Sequence, residues 1–165
     1  MIAYAVIAAV MAQRLAELLY AQKNTRALLA RGAVEVGEAH YPLFIALHSA
    51  WLLAIIIALP RPIALNWLAL AGFVVLECLR VWTMISLGPY WTTRIVSLPD
   101  APLVHRGPYR LMRHPNYVIV AGEIALLPLV FGEVWVTIAF SLLNAALLFW
   151  RIRKEESVLA PRRAL

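Results

Sequence analysis

The sequence predicts an all-α, polytopic integral membrane bundle of about five transmembrane helices, the last two forming a hairpin. Three observations carry that expectation. Hydrophobic residues make up 63% of the 165-residue chain, and mean hydropathy is +0.77, well above an ordinary soluble domain. The apolar residues gather into five runs close to the roughly 20 residues a helix needs to cross a bilayer. The basic residues then fall almost entirely on one side of the membrane that those runs define.

The first run, residues 1–20, starts at Met1–Ile2 without a basic leader or a small-x-small cleavage site, so it reads as a retained helix rather than a signal peptide. The second covers 41–59 and the third 63–87. The fourth, 116–131, is short and contains Pro128; the fifth covers 134–150. Gly132–Glu133 joins these two as a tight hairpin whose arms need not span the full depth. No repeat, low-complexity tract or linker divides the chain, so 1–165 reads as one membrane-embedded domain.

Five spans put residues 21–40, 88–115 and the segment from 151 on one side. Those regions hold Lys23, Arg26, Arg31, Arg94, Arg106, Arg110, Arg113, Arg151, Arg153, Lys154, Arg162 and Arg163, twelve of the 15 basic residues. The other side has only Arg61, and Arg14 and Arg80 lie within spans. The positive-inside rule makes the basic side cytoplasmic and puts the N-terminus outside. Topology therefore accounts for the net charge of +6, and no nucleic-acid recognition motif accompanies it. The lone Cys78 excludes an intrachain disulfide. His40, His48, His105 and His114 lack metal-ligand spacing, so no metal is expected.

Charges inside spans need partners, since each costs about 2.5–3.5 kcal/mol at a helix centre. Arg14 and Glu17, like Glu77 and Arg80, are three residues apart and can neutralise each other on one helical face. Glu123 has no partner in its own helix and must look across the bundle, to Arg80 or Arg14, or line a polar cavity. His48 reads as a hydrogen-bonded core histidine.

Chemistry concentrates on the basic side. The long loop GPYWTTRIVSLPDAPLVHRGPYRLMRHPNY, residues 88–117, is rich in Pro, Gly, aromatic and basic residues, and RIRKEESVLA follows at 151–160. Long ordered loops are often functional. Arg151 and Glu155 are one helical turn apart and share a face. Glu156, rotated by about 100° from Glu155, is expected to face elsewhere. Singly, these residues read as a surface salt bridge and interfacial cations. Together they make a convergent polar site suited to a cationic, adenine-bearing ligand and an anionic or polar acceptor.

The pattern G-x-Y-x3-R-H-P-x-Y, an apolar hairpin and then R-x3-E-E falls on Gly107, Tyr109, Arg113, His114, Pro115, Tyr117, Arg151, Glu155 and Glu156. It resembles the isoprenylcysteine carboxyl methyltransferase family over about residues 85–160. The resemblance implies an integral membrane enzyme that transfers a methyl group from S-adenosylmethionine to the carboxylate of a prenylated cysteine. The family has no Rossmann domain, and this sequence has no G-x-G-x-x-G after a strand. By the same resemblance, Ala101, Pro102, Leu103, Val104, Tyr109, His114, Pro115, Asn116, Tyr117 and Glu155 bind the cofactor. Arg151 binds the acceptor as the catalytic arginine. Ala101 departs from the family, standing where many relatives carry a polar residue, and so does the short tail after Glu156.

The resemblance also implies a lipophilic acceptor reached from the bilayer and a cytoplasmic-side site in a bacterial inner membrane. The compact form is similar to bacterial members of the family whose acceptors need not be prenylated, which keeps lipid-tailed phenols and polyketide-derived pyrones open. A phenol, with a pKa of about 10, needs a base or a stabilised oxyanion, for which His105, Tyr109 and Arg151 are candidates. The C-terminal part is also similar to membrane sterol reductases, which would imply NADPH, although no dedicated site for its second phosphate is visible.

Overall fold

The computed structural model describes residues 1–36, 41–99 and 101–159. His40, Arg162 and Arg163 lie outside the described residues. The chain forms α1 (Ile2–Leu29), β1 (Val34–Val36), α2 (Tyr41–Ala58), α3 (Trp67–Leu87), β2 (Ile95–Ser97), α4 (Pro115–Val130) and α5 (Val134–Leu159), with single 3-10 turns at Gly88–Tyr90 and Gly107–Arg110. The all-α membrane bundle is as expected. Four helices are long and apolar enough to cross a membrane. The exception is α4, whose 16 residues span about 24 Å, short of a hydrocarbon core of about 30 Å.

Local chemistry sets the helix ends. Asn66 caps α3, its side-chain oxygen accepting from the Ala69 amide at 3.1 Å. Its own amide donates to the Val130 carbonyl at 2.8 Å, which ties the start of α3 to the end of α4. Pro128 in the last turn of α4 cannot donate to the ladder, and the Thr137 hydroxyl of α5 reaches the nearby Ala125 carbonyl at 3.2 Å. Gly132, at φ 78°, then turns the chain into α5.

Two helices run further than their apolar patterns suggest. α1 continues nine residues past position 20 to Leu29, so Lys23 and Arg26 ride on a helix rather than a loop. α5 continues through the charged segment to Leu159. A two-stranded antiparallel ribbon was not expected: Val34 pairs with Ser97, Glu35 with Val96 and Val36 with Ile95. Strands this short carry too few residues for an alternating pattern.

The bundle is layered along its axis. At one end lies an apolar core of Ile7, Val10, Trp51, Ile55, Phe73, Ile124, Leu127 and Phe131. Bare backbone lets α3 and α4 approach closely there: a Cβ on Gly122 would stand 2.6 Å from Leu76 Cδ1. The outward faces remain apolar, with Leu68, Ile85 and Leu142 exposed, as helices facing lipid require. Trp67 and Trp135 are exposed at the starts of α3 and α5, suited to a membrane interface.

A charged layer follows. Arg80 Nε donates to Glu123 Oε1 at 2.7 Å, and its NH2 group bonds the other carboxylate oxygen. Arg80 NH1 reaches Glu17 at 3.2 Å, and Arg14 bridges Glu17 at 3.1 Å and Glu123 at 2.8 Å. Glu123 thus finds both partners expected for it, and the Arg14–Glu17 pair forms as predicted. Glu77 does not pair with Arg80. It accepts from Gln13 and lies 3.5 Å from Arg14, because Arg80 turns toward the more deeply buried Glu123, only 1% exposed. His48 Nδ1 bonds the Phe44 carbonyl at 2.8 Å, the expected role of a core histidine.

Two arginines against three carboxylates make the arginines the scarce partners. Arg80→Met should therefore cost about 3–5 kcal/mol, the usual penalty for stripping one partner from a buried ion pair. Glu77→Gln removes the excess negative charge and should cost less than about 1 kcal/mol. Denaturation of both variants in detergent checks the ranking; equal losses would contradict it.

Candidate functional site

The third layer is a cavity of about 670 Å³ at the end of the bundle that carries the loop between α3 and α4. Backbone geometry builds it. Gly88, at φ 55°, ends α3. Asn24 of α1 donates to the Gly88 and Trp91 carbonyls at 3.1 and 2.9 Å, which fixes the departing loop. Arg106 Nε bonds the Ser86 carbonyl at 2.6 Å as the loop returns. Gly107, at φ 57°, lies so close to α3 that a Cβ would meet Ser86 Oγ at 2.0 Å. Only glycine lets this 3-10 turn seat there and deliver Tyr109 to the cavity wall.

Pro115 occupies the first turn of α4, where its missing N–H costs nothing. The His114–Tyr117 segment therefore meets the α5 segment 151–156 at the cavity edge. Tyr117 OH accepts from Arg151 Nε at 2.8 Å and donates to Glu155. Arg151 also donates to the Thr93 carbonyl at 2.8 Å, and its guanidinium sits 5.0 Å from the Phe44 ring centre. Arg151 and Glu155 are thus joined through Tyr117, an arrangement different from a surface salt bridge.

Ala101, Pro102, Leu103, Val104, Tyr109, His114, Asn116, Tyr117, Arg151 and Glu155 all line the cavity. Pro115 does not; it is buried at the helix start beneath the wall. Glu156, as expected, does not share the cavity face of Glu155, but its Oε1 lies 2.7 Å from His114 Nε2 and its Oε2 3.5 Å from Arg113. The imidazole lies between two side chains that leave the helix about 100° apart, so both can reach it.

The wall also includes Trp91, Thr92, Arg94 and Ile95, which no motif singled out. Arg94 is held by Glu35 of β1 at 3.0 Å and lies 4.8 Å from the Tyr41 ring centre, so the unexpected ribbon braces this wall. The loop's aromatic and glycine content was the available signal for it. His105 lies on the exposed rim. Burial, reinforced by the Glu155 carboxylate, raises the Tyr109 pKa far above the phenol value. Tyr109 is therefore a hydrogen-bond donor at neutral pH, which removes it as a candidate base.

The residues present suit a zwitterionic, purine-bearing ligand. The volume lies within the roughly 300–1,000 Å³ of small-molecule sites. Glu155 offers a carboxylate to an ammonium group, and Tyr109 and Trp91 offer aromatic surface. The Trp91 indole N–H is buried yet finds no acceptor among the described residues, which leaves a donor for a ligand.

Fold and cavity together define a polytopic membrane protein with a cavity of small-molecule size at one end of its bundle. The chain belongs to the isoprenylcysteine carboxyl methyltransferase family, whose model matches residues 67–161, more than half its length. The match begins at α3, earlier than residue 85, and so takes in Arg80. The chain is 38% identical over 157 residues to the uncharacterized protein YpbQ of Bacillus subtilis, covering 93% of this chain and 94% of that protein. It is 25% identical over 158 residues to an uncharacterized protein of Haemophilus influenzae, covering 93% and 92%. No solved structure matches significantly.

The seating of Gly107 yields a direct test. Gly107→Ala should loosen the 88–114 loop and speed its limited proteolysis at least severalfold. Gly132→Ala, which also puts a Cβ at positive φ (78°) but meets nothing within 4 Å and lies in the α4–α5 turn, should leave that rate unchanged. Equal rates in both variants would contradict the close packing against Ser86.

Proposed function

We propose that this protein is an S-adenosylmethionine-dependent O-methyltransferase acting on a lipophilic acceptor at the cytoplasmic face of a bacterial inner membrane. The observation that carries this reading is the Arg151–Tyr117–Glu155 chain on the cavity wall, which sets a guanidinium and a carboxylate side by side. Family membership supports methyl transfer. The concentration of Arg94, Arg106, Arg110, Arg113, Arg151, Arg153 and Lys154 at the cavity end supports the cytoplasmic orientation.

Glu155 would bind the cofactor's ammonium. Tyr109, the 101–104 segment and the His114–Tyr117 turn, including Asn116, would enclose the rest of it. Bound there, the cofactor supplies an already activated methyl group, so the protein's task is chiefly alignment and exclusion of water. Arg151 would orient an anionic acceptor oxygen through its planar fork. By family, that acceptor is the carboxylate of a prenylated cysteine.

Glu155→Gln should weaken binding of S-adenosylhomocysteine on the order of ten- to a hundredfold, as expected for losing one charge-assisted contact of about 1.5–3 kcal/mol. Thermal stabilisation by ligand reads this in detergent, with NADPH as the competing ligand. Unchanged affinity in the variant, or stabilisation by NADPH alone, would overturn the assignment.

A further inference from the structure

We propose that Glu133 is a two-position proton switch at the end of the bundle opposite the cavity. As the neutral acid it stays buried in the α4–α5 turn; on ionisation it swings out to cap the start of α5. Its operation does not depend on the methyltransferase reading.

Glu133 is a carboxyl group without partners. The residue is 7% exposed, and both side-chain oxygens are buried with no hydrogen-bond partner among the described residues. Glu17 and Glu123, the other buried glutamates among the described residues, are held by arginines. The Glu133 carbonyl accepts from the Thr137 amide at 3.1 Å, the first bond of α5, which makes Glu133 the cap residue of that helix. A cap side chain ordinarily accepts from the amide two or three residues on, here Trp135 or Val136. Asn66 does this for α3, at 3.1 Å from the Ala69 amide. The Glu133 side chain makes no such bond and is turned into the protein instead.

No charge reaches the buried position. The turn packs against the start of α3 through the bond from the Asn66 amide to the Val130 carbonyl. Residues 49–60 at the end of α2, 67–76 of α3, 124–131 of α4 and 134–150 of α5 carry no acidic or basic side chain. The charged groups at this end are the Met1 amine and Arg61, both exposed and neither bonded to Glu133; Tyr4 is also exposed. A carboxylate in that position would have neither counter-ion nor donor, a cost the group avoids by keeping its proton. Burial alone raises the Glu133 pKa from about 4.5 to about 7.

The ionised group has a better place within reach. The first amides of α5 present unpaired hydrogens and the positive end of the helix dipole, which favour a carboxylate over a neutral acid. Rotation about the side-chain bonds moves the group between the two positions, and the proton goes to water. Gly132 beside it is exposed, with nothing within 4 Å of where a Cβ would stand, so the surface next to the turn is unobstructed.

Infrared difference spectroscopy of the protein in detergent, titrated from about pH 5 to 9, reads the protonated carboxyl directly. One carboxylic acid band should disappear with a midpoint of about 7, and it should be absent from Glu133→Gln, which keeps the shape without the titration. Amide exchange in peptides covering Trp135 and Val136, corrected for its intrinsic pH dependence, should slow severalfold over the same range and show no such step in the variant. A carboxyl whose folded pKa is raised stabilises the fold fully below about pH 4.5 and loses that contribution as pH rises through about 7. The melting temperature of the wild type should therefore fall across that window relative to Glu133→Gln. A band that survives in Glu133→Gln, or no band lost between about pH 6 and 8, overturns the inference, as does unchanged protection of the two amides.

Discussion

The contact between Arg80 and Glu123, buried within the bundle, constrains everything above it. Arg80 is 4% exposed and Glu123 1%, so neither charge can be solvated by water and each depends on the other's geometry. Unpaired, either would cost several kcal/mol in such surroundings. Sliding α4 along α3 by one residue would break this contact and the bridge that Arg14 of α1 makes to Glu123. Register between the three helices is thereby fixed. The start of α4 sits two turns above Glu123, and its His114–Tyr117 segment inherits that register. Asn116 Oδ1 lies 3.5 Å from Arg80 NH1, where the charged layer adjoins the cavity wall.

This arrangement divides the bundle's work along its axis. The apolar end is stabilised by close helix approach and lipid-facing hydrophobic surface. The charged layer sets register. The cavity end carries polar side chains on backbone that is irregular only where it lines a site, as the membrane environment demands. α5 connects the levels: its apolar half forms the hairpin with α4, and its charged extension supplies Arg151, Glu155 and Glu156 on one unbroken helix.

Much of this was legible in the sequence because it depends on period and composition. Apolar runs gave the helices, and the one-turn spacing of Arg151 and Glu155 gave their shared face. What the sequence hid depends on tertiary proximity. Glu77 and Arg80 satisfy the helical spacing rule, yet Arg80 turns to a carboxylate 43 positions away. The ribbon joins Glu35 to Val96, a pairing that no local pattern encodes. Helical rotation sends Glu156 away from Glu155, but it leaves out where the partner stands. With His114 between the two directions, adjacent glutamates reach opposite sides of one ring. Asn24 was missed because α1 outlasts its apolar stripe and brings a polar side chain to the loop.

The cavity between the α3–α4 loop and the charged extension of α5 is the proposed cofactor site. Hydrogen–deuterium exchange of the detergent-solubilised protein, with and without S-adenosylhomocysteine, tests it most directly. Ligand should slow exchange in peptides from 88–117 and 151–158 and leave the apolar half of α2 unchanged. Protection confined to other segments, with binding independently verified, would contradict the placement of the site.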